Sequence, residues 1–331
     1  MRRLFFLTLI STLFLGCKKE LNFDDQPGIA WDVYVAGHHG DTAVIWKNGV
    51  SMPLTDGTNQ ARTYSAQVVG PDIYAAGTQF NGTGWNAILW KNGTAYPLTN
   101  RNAIDIAFSV FVAGSRIYVA GSMTGGIFGT SAVLWVDGAA LILANDGNAQ
   151  SVIVSGGNVY VAGSVFNGIK LTAAVWKNAV LTSLSSNYSI ATSVYVYGTD
   201  IYVAGMDTTV SPSGAIVWKN GVPGPLLSAY TNGKAVTSSI FVVDGDVYVA
   251  GREYNGTNYI ATFWRNGLPY PLTDGSKDAA AESVYVIDGH IYVSGYESDG
   301  TTKIAKIWKD DEVTSLSIGP KEGIGHSVFV K

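Results

Sequence analysis

Short apolar runs alternate with glycine-containing polar turns along almost the whole chain. The clearest unit spans Ser109–Gly138, where a Ser-Val run is followed by Ile-Tyr-Val-Ala-Gly and then by a Trp with a two-residue turn. Nearly continuous apolar runs of this length are typical of strands that are covered on both faces. A fourth, shorter run ends in Leu-Thr, as in Pro97–Thr99. The pattern predicts four short strands per unit, and no helical period of useful length follows residue 16.

The unit recurs along the chain. Its tyrosines are Tyr34, Tyr74, Tyr118, Tyr160, Tyr202, Tyr248 and Tyr292, which are 40 to 46 residues apart. Its tryptophans are Trp46, Trp90, Trp135, Trp176, Trp218, Trp264 and Trp308. Several of the turns after the Trp contain Asn-Gly, which favours a type I′ hairpin because both residues tolerate a positive φ. This period is typical of the four-stranded blades of a β-propeller.

The two ends of the chain indicate a closed ring. The repeats begin with a second strand at Asp32–Gly37 and end with a first strand at His326–Lys331. Joining these halves completes one more sheet and leaves no unpaired end, whereas an open solenoid needs polar capping repeats. We therefore predict an all-β, closed seven-bladed β-propeller over residues 31–331. Its first blade combines His326–Lys331 with Trp31–Leu54.

On these motifs the chain resembles the bacterial seven-bladed β-propeller repeat proteins over Trp31–Lys331. It differs from the WD40 pattern, because Lys follows the Trp where that family has Asp and because no Gly-His pair opens the unit. It also lacks the Gly-Gly doublets of kelch repeats. The resemblance implies an architecture and no particular chemistry.

The first residues indicate export. Arg2 and Arg3 precede the apolar run Leu4–Gly16, which is too short to span a membrane and is typical of a signal peptide. Cys17, the only cysteine, follows directly and resembles the acylated cysteine of a bacterial lipoprotein lipobox. We therefore predict a lipoprotein signal peptide (1–16), a lipidated Cys17 with a tether (17–30), and anchoring in the cell envelope at the outer membrane. An ordinary secretory signal with an incidental cysteine is the alternative.

Composition excludes some functions. Charged residues make up 14% of the chain, and a single cysteine permits no internal disulfide, so packing must stabilise the fold. Without Arg2 and Arg3, 19 of the 21 basic residues remain against 25 acidic ones, a net charge of −6. An acidic domain lacks the basic surface of a nucleic-acid-binding protein. We expect a monomer with no cofactor and with a membrane contact only through the lipid.

Comparing the blades predicts where a site lies. The end of strand two and the start of strand one meet at one face, which we call the mouth; the opposite face is the far face. Blades two to five carry mostly uncharged residues at the mouth, whereas blades six, seven and one carry the charged and imidazole groups. The predicted ligand-binding residues are Arg252, Glu253, Glu282, Tyr296, Glu297, His38, His39 and His326.

Several functions fit this surface. The preferred one is a non-catalytic binding or assembly scaffold for a protein, peptide or glycan, aided by aromatic residues at the mouth. Those residues are Tyr64, Trp85, Phe108, Tyr254 and Tyr296. The alternative is a hydrolase of polysaccharide or peptide. It would use a metal held by His38 or His39 together with His326, with Glu282 or Glu297 as a further ligand, or a carboxylate pair from among Glu253, Glu282 and Glu297. A purely structural envelope protein is the third hypothesis.

Overall fold

The computed structural model describes residues 31–126, 129–208, 214–227 and 234–331. Over these ranges the chain forms seven antiparallel sheets of four strands each. The predicted seven-bladed propeller is therefore confirmed. No helix in the described part of the chain is long and apolar enough to cross a membrane. The predicted signal peptide, Cys17 and the tether lie outside the described residues.

Each blade contributes one strand to each of four concentric positions. The innermost strands are β4 (Ala61–Val69), β8 (Ile106–Ala113), β12 (Gly147–Ser155), β16 (Ser189–Tyr197), β20 (Ala235–Val243), β24 (Ala279–Ile287) and β28 (Gly323–Val330). The second strands are β1 (Val33–His39), β5 (Asp72–Phe80), β9 (Arg116–Gly126), β13 (Asn158–Phe166), β17 (Asp200–Asp207), β21 (Asp246–Tyr254) and β25 (His290–Ser298). The third strands are β2 (Thr42–Lys47), β6 (Trp85–Lys91), β10 (Gly129–Val136), β14 (Leu171–Lys177), β18 (Gly214–Lys219), β22 (Tyr259–Arg265) and β26 (Lys303–Lys309). The outermost strands are β3 (Val50–Pro53), β7 (Thr94–Pro97), β11 (Ala139–Ala144), β15 (Val180–Ser183), β19 (Val222–Pro223), β23 (Leu268–Pro271) and β27 (Glu312–Ser315).

The last strand closes the ring. β28 pairs with β1 in the register Val35↔Val328, and Asp32 and Lys331 exchange two backbone hydrogen bonds of 2.8 and 3.0 Å. Each innermost strand contacts the innermost strands of both neighbouring blades, with β28 between β24 and β4. Blade one therefore consists of β28 and β1–β3, and its innermost strand begins three residues before the predicted His326.

The repeated tryptophans fill the space between blades. All seven are at most 4% exposed. Trp90 of blade two, for example, packs in one cluster with Tyr34 and Ala36 of blade one. Burying a large aromatic side chain stabilises a fold by several kcal/mol in order of magnitude. The repeated tryptophans therefore belong to the core and offer no exposed platform for a ligand.

The serines of the Ser-Val runs link neighbouring blades. Ser65 Oγ accepts a hydrogen bond of 3.2 Å from the backbone N–H of Val110 in the next blade. Ser109, Ser151 and Ser193 accept equivalent bonds from the next blade along the ring. Each innermost strand is the edge of its sheet, so the serine hydroxyl supplies an acceptor for a backbone N–H that has no partner strand on that side. The repeated serines therefore hold neighbouring innermost strands together through their hydroxyl groups.

At the far face, the basic residue that follows the repeated Trp pairs with an aspartate and a tyrosine at the start of the second strand. Lys47 Nζ lies 2.7 Å from Asp32 Oδ2 and 5.4 Å from the centre of the Tyr34 ring, while Asn48 Nδ2 donates to Asp32. Similar clusters recur around Asp72, Asp200 and Asp246. The turn residues also have the predicted geometry, since Asn48 and Gly49 have φ angles of 50° and 80°. The basic residues of these repeated turns thus have structural partners.

Candidate functional site

A β-bulge interrupts every innermost strand at the mouth. In each blade the pairing with the second strand skips the residue just before the repeated Ser. The skipped residues are His326, Tyr64, Phe108, Gln150, Thr192, Ser238 and Glu282, in order from blade one to blade seven. All seven are half-buried. A bulge leaves its extra residue out of the ladder and redirects the side chain, so each blade presents one such side chain.

The bulges also explain the glycine that ends each Tyr-Val-Ala-Gly run. A Cβ atom built on Gly205 would lie 2.1 Å from the carbonyl oxygen of Ile190 and 2.7 Å from the Trp218 ring. The equivalent glycines face the equivalent carbonyl oxygens at 1.9 to 2.1 Å. They are Gly37, Gly77, Gly121, Gly163, Gly251 and Gly295. Only glycine leaves room for the backbone at the bulge, because any other residue adds a Cβ.

Two of the predicted histidines meet. His326 Nε2 lies 3.2 Å from His38 Nδ1, and the two rings stack with centroids 5.3 Å apart. Tyr64 packs against His326 from blade two, with ring centroids 5.1 Å apart. Burial, with a smaller effect of the Arg62 charge, lowers the pKa of His38 to about 4. Burial, with the neighbouring His38 and Arg62, lowers the pKa of His326 to about 3. Both imidazoles are therefore neutral at pH 7, and one donates a hydrogen bond to the other.

The third histidine lies elsewhere. Successive side chains of a strand point to opposite faces, so His38 lies on the side of Ala36, which packs against blade two. His39 lies on the side of Val35, which packs against blade seven. In the described ranges no three His, Cys, Asp or Glu side chains are placed to hold a metal ion. The sheet of blade one therefore separates His39 from His38 and His326.

Arg252 and Tyr296 do come together across blades six and seven. Arg252 Nη1 donates a hydrogen bond of 3.4 Å to Tyr296 Oη, and its guanidinium carbon lies 4.7 Å from the centre of the Tyr259 ring. Lys303 Nζ lies 4.9 Å from the centre of the Tyr296 ring and 3.2 Å from Glu322 Oε1. The sector thus combines two cations with two tyrosines.

The three predicted carboxylates do not share one environment. Glu282 is the bulge residue of β24, and burial raises its pKa, against the opposing effects of Arg252 and a hydrogen bond with Ser238. Glu253 is 3% exposed and lies on the side of Val249, which packs against blade five. Glu297 lies 3.5 Å from Lys306 Nζ. The sheet of blade six therefore separates Glu253 from Glu282.

The grooves near this sector lie on its outer rim. One, of about 550 Å³, is lined by residues that include Thr302, Lys306 and Pro320. A second, of about 260 Å³, is lined by Lys277, Glu297 and Lys306, among others. Glu297 therefore lines a polar groove together with Lys277 and Lys306.

The predicted aromatic residues pack mostly against other aromatic rings. Tyr64 also contacts Phe108, with centroids 5.8 Å apart. Tyr254 packs on Tyr259 at 5.2 Å, and Trp85 packs on Phe80 at 5.6 Å. These contacts cover much of the ring surface that a sugar would need for stacking.

Sequence reasoning missed Arg62, whose charge acts on both members of the histidine pair. Arg62 lies two residues before the bulge at Tyr64, a position that the comparison of blades did not include. The residues at the equivalent positions are uncharged: Ile324, Ile106, Asn148, Ile190, Val236 and Ala280. Extending the same comparison by two residues would have singled out Arg62.

The histidine pair predicts a pH dependence of stability. Each histidine binds a proton below about pH 6.5 in the unfolded chain but only near pH 3 to 4 in the fold. The unfolded state therefore binds more protons as the pH falls, and the free energy of unfolding should decrease by at most about 1.4 kcal/mol per pH unit for each histidine. Urea unfolding at pH 7.5, 6.5, 5.5 and 5.0 measures this loss.

The variant H38Q/H326Q should lose less stability over the same range, because it lacks both titrating groups. Glu282 acts in the opposite direction, since its raised pKa makes the folded state bind a proton first. Asp299, with a pKa lowered to about 2, matters only at lower pH. An identical pH slope in the variant and the parent would contradict the assignment.

No model of a known protein family matches the chain, and no curated protein sequence matches it. Its fold is similar to a puromycin-hydrolyzing peptidase of Mycobacterium tuberculosis, with a TM-score of 0.56 and 12% identity over 86% of this chain and 53% of that one. It is also similar to an acylaminoacyl peptidase of Pyrococcus horikoshii, with a TM-score of 0.55 and 12% identity over 87% of this chain and 50% of that one.

TolB from Acinetobacter baumannii is a third similar structure, with a TM-score of 0.50 and 10% identity over 76% of this chain and 65% of that one. The likeness shows the fold alone. The chain spans only about half the length of the two peptidases. Function must therefore be argued from the residues of this chain.

Proposed function

We propose that the protein is a binding module that contacts its ligand through the mouth of blades six, seven, one and two, without catalysing a reaction. The observation that carries this proposal is the set of seven bulges, which turns one side chain per blade out of the ladder. In this sector the bulge residues Tyr64 and His326 pack on each other, and Arg252, which donates to Tyr296, acts on the bulge residue Glu282. Such a concentration of polar and aromatic groups on rigid strands is typical of a recognition surface.

The way in which these groups are paired supports binding over catalysis. The two nitrogens through which His38 and His326 meet are engaged with each other. Their lowered pKa values also make both imidazoles weak bases, whereas a general base works best with a pKa near the working pH.

A carboxylate-dependent hydrolase is the second candidate, and the raised pKa of Glu282 favours it. A buried carboxyl group that keeps its proton can act as a general acid. The possible second carboxylates differ in their surroundings, because Glu253 lies on the other side of blade six and Glu297 is paired with Lys306. The similarity to the two peptidases is a similarity of fold, and it gives no information about Glu282.

Binding and hydrolysis can be separated with the purified protein. A peptide and glycan array should retain the parent protein, and neither the parent nor E282Q should cleave the ligand that it binds. Cleavage of an array ligand by the parent and none by E282Q would establish the hydrolase. Metal analysis of the parent and of H38A/H39A/H326A tests the metal hypothesis, since stoichiometric metal that the variant loses would support an enzyme. Retention of no ligand at all would leave only a structural role.

We also propose that the protein is an exported lipoprotein anchored through Cys17. The basic start, the apolar run and the solitary cysteine support this proposal.

The variant Cys17→Ser tests the anchor. The parent should fractionate with membranes and incorporate labelled fatty acid, because acyl chains supply about 0.8 kcal/mol of membrane binding per buried CH₂ group. The variant should lose both properties while keeping the same thermal stability. A variant that remains in the membrane fraction would contradict the lipoprotein assignment.

A further inference from the structure

Two cations at the mouth differ from the basic residues of the repeated far-face turns. At the far face, Lys47, Lys91, Lys219 and Arg265 each form an ion pair with the aspartate at the start of the second strand. Arg252 and Arg62 have no carboxylate within 4.0 Å among the residues that the structure describes. Arg252 is half-buried, whereas Arg62 is exposed. A half-buried guanidinium without an ion-pair partner, such as that of Arg252, is costly to retain unless a partner arrives from outside.

Arg252 is also held in place. Its guanidinium lies over the Tyr259 ring at 4.7 Å, and Nη1 donates to Tyr296 Oη. Its Nε is buried and has no hydrogen-bond partner in the described part of the chain. The planar fork therefore retains N–H donors in a fixed orientation, and a carboxylate can accept two of them at once.

Several cations act on the buried histidines and on Glu282 at the mouth, although the whole chain has a formal net charge of −4. Arg62 and Lys303 both disfavour protonation of His38 and His326, and only Glu322 acts in the opposite direction on His38. Arg252 and Lys303 both favour the charged form of Glu282. Arg252 and Lys303 therefore act together at Glu282, and their positive charge attracts an anion, although Lys303 is also paired with Glu322.

We propose that Arg252, with Lys303 of the neighbouring blade, binds a carboxylate group of a peptide at the mouth. This inference rests on the proposed binding function and names the chemistry of its ligand. A peptide is favoured over an acidic glycan, because the aromatic faces of this sector are covered. Tyr259 is flanked by Arg252 and Tyr254, Tyr64 by His326 and Phe108, and Tyr296 by Lys303. A carboxylate needs only the edge of the guanidinium, whereas a sugar ring needs an open aromatic face.

The test uses two libraries of N-acetylated hexapeptides that differ only in charge. The first has free C-terminal and side-chain carboxylates; in the second each carboxylate is a carboxamide. The immobilised parent protein should retain the acid library at least tenfold more than the amide library, and R252Q should reduce this ratio to below about twofold. R252K, which keeps the charge without the fork, should lie between them. R116Q removes an exposed arginine at the far face and should behave like the parent.

Matching thermal unfolding curves for all four proteins show that the variants are folded. Equal retention of acid and amide peptides, or an unchanged ratio in R252Q, would overturn the carboxylate proposal while leaving the binding function intact. Retention of oligogalacturonate over its methyl ester, without any peptide preference, would overturn the peptide assignment only. Retention of no peptide and no glycan would overturn the proposed function and this inference together.

Discussion

Deleting Gly325–Lys331 should abolish the cooperative unfolding transition. The deletion removes almost the whole of β28, which pairs with β1 and contacts β24 and β4. Val328 and Val330 are at most 4% exposed, and the deletion would also uncover the apolar faces of blades seven and two. A domain of this kind is stable by only about 5–15 kcal/mol, and losing one strand of the closed ring affects three blades at once.

Tryptophan fluorescence and circular dichroism during urea unfolding measure this effect, because the seven repeated tryptophans are buried. A circular permutant supplies the control. Residue 331 is joined to residue 31 through a short linker, and the chain is opened at the exposed Ile318–Gly319 loop. It keeps every strand and should unfold cooperatively. A truncated protein that melts within a few degrees of the parent would be incompatible with closure through β28.

The variant Gly205→Ala should be destabilised by about 3 kcal/mol or more, because the new Cβ collides with backbone as well as with a ring. The carbonyl oxygen of Ile190 would lie 2.1 Å away and the Trp218 ring 2.7 Å away, and neither can move without displacing a strand of blade five. Urea unfolding midpoints, with an unchanged m-value, measure the difference.

Gly221→Ala in the same blade is the matched control. Gly221 has a φ of 80° in the turn after Trp218, and a Cβ there meets no atom within 4 Å. That variant should lose only about 1 kcal/mol, the usual penalty for a left-handed alanine. Equal destabilisation of the two variants would mean that the bulge does not impose the requirement for glycine.

The candidate site was only partly predictable. Comparing the blades correctly placed Arg252 with Tyr296 and His38 with His326. It wrongly grouped His39 with those two histidines and Glu253 with Glu282, because adjacent residues on a strand point to different neighbouring blades. It missed Arg62, which acts on the histidine pair from two positions before the bulge.

The sequence by itself determined the number of blades, the four strands of each, the buried tryptophans and the closure by the last strand. These features follow from a repeated hydrophobic pattern and from two complementary half-blades, both of which are visible in a linear chain. Only the tertiary structure decided the bulges, the faces to which His38 and His39 point, and the lack of an ion pair at Arg252 among the described residues. A bulge is a one-residue change of register between two strands, and the neighbours of a side chain depend on how whole sheets pack, so neither has a local signature in sequence.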